Sequence, residues 1–494
     1  YIAALNVDAI WLSPFFVSPM DDFGYDVADY CDVDPIFGSL EDFDALLSAA
    51  HDKGLRVLID LVLSHTSDRH PWFIESRQSG DNPKADWYVW ADPKPDGTAP
   101  NNWLAIFGGP AWEWDTSRCQ YYMHNFLRTQ PDLNYHNEDV QNAVLNVARF
   151  WLDRGVDGFR LDTVNKYVHD AELRDNPPVT PGVKVSMEQN NPIAMQQPVY
   201  SINRPENLTF VERLRSLLDE YPGTTTVGEI GNRRTDGPEL AQYTAPGRLH
   251  MAYSFDLLRD PITAPRLRKS VECAEDQGAS WTSWPFSNHD VTRVATRSGL
   301  GLDAAPMLLQ MMLCLRGSPT LYQGEELGLP EADVPYEALQ DPYGIRFWPK
   351  IKGRDGCRTP MPWTMAENGG FTSAKPWLPV DPAQRDLAVD QQTNDPNSPL
   401  NRARAFLAWR RSEPALLKGT ITFIDTPASI TAFIRDADHG AALLCAFNLS
   451  NAQAAFQPDK PLAQREVPGL IGARFADGTI TFQPCGAFIG ALKD

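Results

Sequence analysis

Two hydrophobic periodicities alternate along this chain. Short apolar or β-branched runs at residues 7–12, 56–60, 158–161, 225–229, 251–255, 281–286 and 320–323 read as buried strands. Between most of them lie segments with apolar positions at helical spacing, such as 40–53 and 140–154. The opening Tyr1 to Leu5 reads as the end of a helix, and a further helix is expected around 401–411. Strands that alternate with helices predict a parallel sheet, because parallel neighbours need a crossover connection. A long polar stretch rich in Pro, Trp and Gly separates Asp60 from the helix near Val140. Connections of that length usually carry function. A second long loop follows Gln323, and from about Thr420 short alternating runs such as 441–447 predict an all-β C-terminal domain.

The ends of these strands carry the chemistry. Four runs turn abruptly acidic at their C-terminal tips, at Asp60, Asp162, Glu229 and the His289-Asp290 pair. In Asp157-Gly-Phe-Arg-Leu-Asp162, Arg160 and Asp162 lie two residues apart on a strand and so share a face. A guanidinium beside a carboxylate favours the ionised form, which a nucleophile requires. Taken singly, each tip has a plain alternative, a structural Arg-Asp pair or a glutamate in a turn. Four tips in one chain point to a (β/α)₈ barrel enzyme, whose catalytic residues gather at the C-terminal ends of the strands.

With these four segments in this order, the chain resembles the α-amylase family, glycoside hydrolase family 13, over essentially its whole length. Phe23-Gly-Tyr-Asp-Val-Ala-Asp-Tyr30, Tyr322-Gln-Gly-Glu-Glu326 and Gly353-Arg-Asp-Gly-Cys-Arg-Thr-Pro-Met-Pro-Trp363 are similar to its bacterial α-glucosidase and oligo-1,6-glucosidase branch. Within that branch the likeness is greatest to maltose-acting, transglucosylating α-glucosidases. The resemblance implies a catalytic (β/α)₈ TIM barrel at 1–63 and 136–415, an inserted domain B at 64–135 and a C-terminal β-sandwich at 416–494. In the family the strand at 7–12 is the second of the barrel, so the first βα unit is expected upstream of Tyr1.

The resemblance also assigns roles. Asp162 matches the nucleophile, Glu229 the general acid/base, and Asp290 a third carboxylate that binds sugar hydroxyls. Glu229 follows Val227-Gly228 with no cation beside it in sequence, which leaves burial and neighbouring carboxylates to raise its pKa. Asp22, Tyr25, His65, Arg160, His289 and Arg354 match positions lining the glucose pocket. Tyr25 would stack on the ring, and the two histidines would donate to hydroxyls. Phe107 and Phe126 match aromatic residues that wall the pocket and would serve equally as packing residues. Thr163 follows the nucleophile where a valine is typical of α-1,6 enzymes and a smaller or polar residue of α-1,4 enzymes, so maltose-type linkages are favoured. Ser64 stands where many relatives have an asparagine that helps hold calcium, so no metal is expected in domain B. The family's other metal loop falls upstream of Tyr1, where a structural calcium or magnesium site remains compatible with the resemblance.

Composition narrows the partners. A net charge of −20 argues against nucleic acid and anionic membrane. Apolar and charged contents of 43% and 22% fit a globular protein, and 494 residues exceed one compact core. An aromatic content of 11%, with 14 Trp, suits sugar stacking as well as core packing. Seven cysteines without paired spacing favour reduced thiols and a cytoplasmic setting. The expected function is therefore a retaining α-glucosidase without a cofactor, monomeric or dimeric. It would act on the terminal α-1,4-glucosyl unit of short oligosaccharides through a covalent glucosyl-enzyme, with transfer to alcohol or sugar acceptors. The alternatives are a sucrose hydrolase, sucrose isomerase or trehalose synthase, or a catalytically inactive barrel acting as a binding subunit. Intact Asp162, Glu229 and Asp290 speak against the inactive barrel. The lack of an Arg-Leu-Asp-Arg-Asp-like loop speaks against the sucrose isomerases.

Overall fold

A computed structural model describes residues 1–180, 188, 190–231 and 238–493. The chain divides into two compact units, 8–254 with 341–351, and 1–7 with 255–340 and 352–494.

The first unit is built on five parallel strands, β1 (Ala9–Leu12), β2 (Arg56–Leu61), β3 (Gly158–Leu161), β4 (Thr225–Ile230) and β5 (Met251–Ser254), which neighbour one another in that order. Strand β3 is buried along its whole length, Arg160 included, as a strand covered on both faces of its sheet is. The first strand starts at Ala9 rather than Val7, and the β5 strand stops one residue before the expected Phe255. Gly158 opens β3 at φ +146°, and a Cβ there would stand 1.9 Å from the Thr225 carbonyl oxygen. Only glycine allows β3 and β4 to approach so closely.

The longest helices between these strands, among the described residues, are α1 (Leu40–Asp52), α2 (Glu138–Asp153) and α3 (Pro205–Leu218). Ser39 and Asp42 close α1 with a reciprocal capping box. Asn137 caps α2, so this helix begins before the expected Val140. Along α2, Val140, Val144, Val147 and Trp151 form one buried stripe, and the Trp151 indole donates to the Tyr30 carbonyl at 2.8 Å. Within 64–135, strands Trp90–Ala91, Gln120–Met123 and Trp112–Asp115 form a small antiparallel sheet over a core of Val89, Trp103, Trp112 and Met123. The Tyr135 hydroxyl ties this segment back to the Leu63 carbonyl, just beyond β2.

In the second unit, β6 (Ser283–Pro285) and β7 (Ser318–Thr320) pair in parallel, accompanied by α4 (Ala264–Asp276) and α5 (Ala305–Cys314). The strand expected at 320–323 is thus shorter and earlier. Tyr322 has already entered a turn, its N–H donating to the Glu325 carboxylate at 2.7 Å, and Gly324 takes φ +90°. The helix Pro399–Arg410 begins at a Ser398 cap, slightly ahead of the expected position. The tail from Thr420 is antiparallel, with a five-stranded sheet that includes Ile430–Asp436, Leu443–Asn448 and Ala487–Leu492. A three-stranded sheet spans Ala454–Phe456, Ala473–Ala476 and Thr479–Phe482. Ile430, Leu444, Ile480, Phe482 and Phe488 fill the core of this part. Each such side chain contributes about 1.5–3 kcal/mol on burial. No disulfide joins any of the seven cysteines. Among the described residues, no helix is long and apolar enough to cross a membrane.

Candidate active site

Strand register assembles the site. Asp60 on β2 is the direct partner of Arg160 on β3. Arg160 in turn faces Val227 on β4, two residues before Glu229, and Glu229 is the partner of Tyr253 on β5. Side chains alternate across a strand, so Asp60, Arg160, Glu229 and Tyr253 share one face, with Asp162 two positions beyond Arg160.

Arg160 is the hub. Its Nη1 donates to Asp162 Oδ1 at 2.7 Å and to Asp60 Oδ1 and Oδ2 at 2.9 and 3.0 Å. Its Nη2 donates to Glu229 Oε2 at 2.5 Å and to the Tyr253 hydroxyl at 3.0 Å. Side-chain exposure is 1% for Arg160, 0% for Asp60, 8% for Asp162 and 4% for Glu229. The guanidinium also lies 4.9 Å from the centre of the Trp11 ring. The expectation that only burial and neighbouring carboxylates act on Glu229 is therefore corrected. The cation comes from the neighbouring strand, at a separation that sequence adjacency does not reveal. A planar five-donor group can hold three carboxylates and a hydroxyl together in this way, whereas an ammonium cannot. Burial pushes the Asp60 carboxyl upward, and its contact with Arg160 opposes this.

Thr163 adds a second tether. Its N–H donates to Glu229 Oε2 at 3.1 Å and its hydroxyl to Asp162 Oδ2 at 3.2 Å. The residue holds φ 37°, ψ 46°, a left-handed conformation that is unusual for a β-branched side chain. Such strain costs about 1–3 kcal/mol and persists where the surroundings enforce it. Here it turns the chain sharply at the end of β3 so that one residue reaches both carboxylates.

Around this centre, the Tyr25 hydroxyl donates to Asp60 Oδ2 at 2.9 Å, and Asp22 Oδ2 accepts from the Gln130 amide at 3.1 Å. His65 is buried, with Nδ1 2.8 Å from the Ser64 hydroxyl and Nε2 2.9 Å from the Tyr25 carbonyl oxygen. Burial lowers its pKa to about 4, so the ring is neutral at pH 7. Both ring nitrogens thus engage protein groups here, where sugar hydroxyls were the expected partners. The Phe126 ring lies 5.2 Å from that of His65 and 5.8 Å from that of Phe107. Phe107 packs with Tyr343 and Ile351 in a small apolar cluster.

In the second unit, Asp290 follows His289 just beyond β6. Asp290 Oδ1 accepts from Arg358 Nη2 at 2.9 Å and from Arg354 Nη1 at 3.4 Å. Arg358 Nε donates to the His289 carbonyl at 2.6 Å. The structure thus brings Asp22, Tyr25, His65, Arg160, Asp162, Thr163 and Glu229 together in one unit, with Phe107 and Phe126 beside them. It brings His289, Asp290 and Arg354 together in the other. Sequence reasoning missed three participants. Tyr253 carried no acidic tip to mark it. Asp60 was legible as a tip but not as the partner of Arg160. Arg358 lies in the same Gly353 to Trp363 motif as Arg354 and makes the shorter contact.

Residues 1–419 match the alpha-amylase catalytic domain model. A probable alpha-glucosidase of Rhizobium meliloti (strain 1021) is 53% identical over 506 residues, which cover 100% of this chain and 91% of that protein. An oligo-1,6-glucosidase of Parageobacillus thermoglucosidasius is 36% identical over 462 residues, covering 86% of this chain and 80% of that protein. Among solved structures, the alpha-glucosyl transfer enzyme XgtA superposes with a TM-score of 0.97 at 52% identity, covering 100% of this chain and 93% of its own. The trehalulose synthase of Pseudomonas mesoacidophila MX-45 gives a TM-score of 0.87 at 29% identity, covering 100% of this chain and 93% of its own.

Proposed function

The chain belongs to the alpha-amylase family of (β/α)₈-barrel glycoside hydrolases, and from that premise we propose that it is a retaining α-glucosidase. It cleaves the terminal non-reducing α-glucosyl unit of short α-1,4-glucosides such as maltose and passes that unit to water or to an alcohol acceptor. One observation carries the reading. Asp162 and Glu229 project from adjacent parallel strands and are both held by Arg160 and Thr163. Retaining hydrolysis needs two such carboxyl groups on one substrate.

In the first step an oxygen of Asp162 forms a bond to the anomeric carbon as the glycosidic bond breaks. The electron pair leaves on the aglycone oxygen, which takes the proton of Glu229. In the second step Glu229 removes a proton from water or an alcohol, whose oxygen bonds to the same carbon and releases Asp162. Asp290, clamped by Arg354 and Arg358, binds glucose hydroxyls. The 52% identity to an alpha-glucosyl transfer enzyme supports transfer beside hydrolysis, and Thr163 supports the α-1,4 preference.

Incubation with 4-nitrophenyl α-glucoside while the anomers of the released glucose are followed by NMR, beside a maltose cleavage assay, tests the proposal. α-Glucose should appear first, and added methanol should give methyl α-glucoside. β-Glucose as the first product, or no cleavage of maltose, would overturn it.

A further inference from the structure

Ser64 is placed to act on the nucleophile through the side chain of Thr163. Its hydroxyl oxygen is 2.8 Å from His65 Nδ1 and 3.3 Å from Thr163 Oγ1, and Thr163 Oγ1 is 3.2 Å from Asp162 Oδ2. Ser64, His65 and the catalytic carboxyl are all buried. Proton counting gives this chain of contacts a direction. The Tyr25 carbonyl oxygen 2.9 Å from His65 Nε2 can only accept, so Nε2 carries a hydrogen. The Gln130 amide nitrogen lies 3.2 Å from the same Nε2 and gives one of its two hydrogens to Asp22; the shorter 2.9 Å contact to the carbonyl decides the tautomer, because two lone pairs would repel there. A neutral His65 protonated at Nε2 has a bare Nδ1, which must accept from Ser64. The single hydroxyl hydrogen of Ser64 is thereby committed, and its oxygen is left as an acceptor towards Thr163. The single hydroxyl hydrogen of Thr163 then has two acceptors, the Asp162 carboxylate and Ser64 Oγ.

We propose that Ser64 is a positioning residue for the nucleophile, providing the alternative acceptor to which the Thr163 hydroxyl turns when Asp162 becomes esterified. This rests on the α-glucosidase reading above. In the free enzyme the carboxylate is the stronger acceptor and holds the Thr163 hydrogen. In the glucosyl-enzyme the ester oxygens are neutral and weaker acceptors, and the hydroxyl rotates to Ser64. No proton changes owner; one hydrogen bond replaces another. Without Ser64, the half-buried Thr163 hydroxyl would lose its second partner in the intermediate, and a donor left unmade beneath the bound sugar raises the energy of that state. Ser64 therefore stabilises the glucosyl-enzyme and the transition state leading to it.

A double-mutant cycle with Ser64→Ala and Thr163→Val tests the relay on 4-nitrophenyl α-glucoside. The specificity constant reports glucosylation, and the burst of nitrophenol reports how far the intermediate accumulates. Ser64→Ala should lower kcat/KM by about three- to tenfold and shrink the burst. In a Thr163→Val background the same change should have no further effect, because the hydroxyl that Ser64 serves is already gone. Thr163→Ser, which keeps a hydroxyl, should restore the sensitivity to Ser64→Ala. A full Ser64→Ala effect in the Thr163→Val background would assign the effect to His65 instead and overturn the proposal, as would an unchanged burst in Ser64→Ala alone. If the parent enzyme cleaves no α-glucoside, the functional reading itself fails. A parent that cleaves α-glucosides without coupling between positions 64 and 163 defeats only the relay.

Discussion

Asp60 stands directly opposite Arg160 across the parallel pair β2–β3, and the guanidinium meets both of its carboxylate oxygens at 2.9 and 3.0 Å. Asp60 touches no reacting atom in the proposed mechanism. It fixes the orientation from which Arg160 reaches Asp162 with one nitrogen and Glu229 with the other. A buried guanidinium needs this much partnership, because its desolvation is costly unless well-oriented acceptors compensate it.

Arg160→Lys should therefore fold but lose the geometry. One ammonium cannot reach Asp60, Asp162, Glu229 and Tyr253 together. We expect kcat for maltose to fall by about 10²-fold or more, the usual effect of misplacing reacting groups by an ångström. Steady-state kinetics beside an unfolding curve would check it, and near-parental kcat would refute the hub.

Asp162→Asn should abolish glucosyl-enzyme formation, lowering turnover by at least about 10³-fold, since an amide is no nucleophile. Glu229→Gln should retain slow glucosylation only from substrates with good leaving groups. Mass spectrometry of the trapped intermediate, with nitrophenyl glucoside and with maltose, separates the two roles.

Thr163→Val should shift preference from α-1,4 towards α-1,6 disaccharides by about 1–3 kcal/mol, the scale of a small change in pocket shape and polarity. Relative kcat/KM on maltose and isomaltose measures it. An unchanged ratio would dispose of the linkage argument.

Buried His169 should make the fold acid-sensitive. Burial lowers its pKa to about 3 from an ordinary 6.5, so between these values the unfolded chain binds a proton that the folded chain refuses. Its contribution is present above pH 6.5 and is lost as pH falls towards 3. Between pH 7 and 5 the parent should lose about 2 kcal/mol more stability than His169→Gln. Paired urea unfolding curves at the two pH values give this difference directly. Parallel losses in parent and variant would contradict it.

Gly158→Ala should be among the most damaging changes of a single methyl group, because the added carbon would meet the Thr225 carbonyl oxygen at 1.9 Å. Strands β3 and β4 would have to part at their base, and we expect more than about 3 kcal/mol of destabilisation. Soluble yield and thermal unfolding of the variant would test it.

The sequence alone determined most of the elements and the candidate reacting groups. An apolar strand ending in an acid is a local pattern, and period-two alternation already placed Arg160 and Asp162 on one face. The α2 stripe and the antiparallel tail followed from periodicity as well. Strand ends were less legible where side chains captured the backbone, as Glu325 does at Tyr322 and Asn137 at the start of α2. The tertiary structure decided which groups meet. The pairing of Arg160 with Glu229 spans 69 residues of chain and that with Asp60 spans 100. Both depend on the register of neighbouring parallel strands, which no local pattern encodes. The reach of Thr163 to Glu229 likewise arises only once β3 and β4 lie side by side, and the contact of His65 with the Tyr25 carbonyl joins residues 40 apart in the chain. The reason is physical: periodicity reports which face of an element is buried, while electrostatic partnership depends on what the next strand brings to that face.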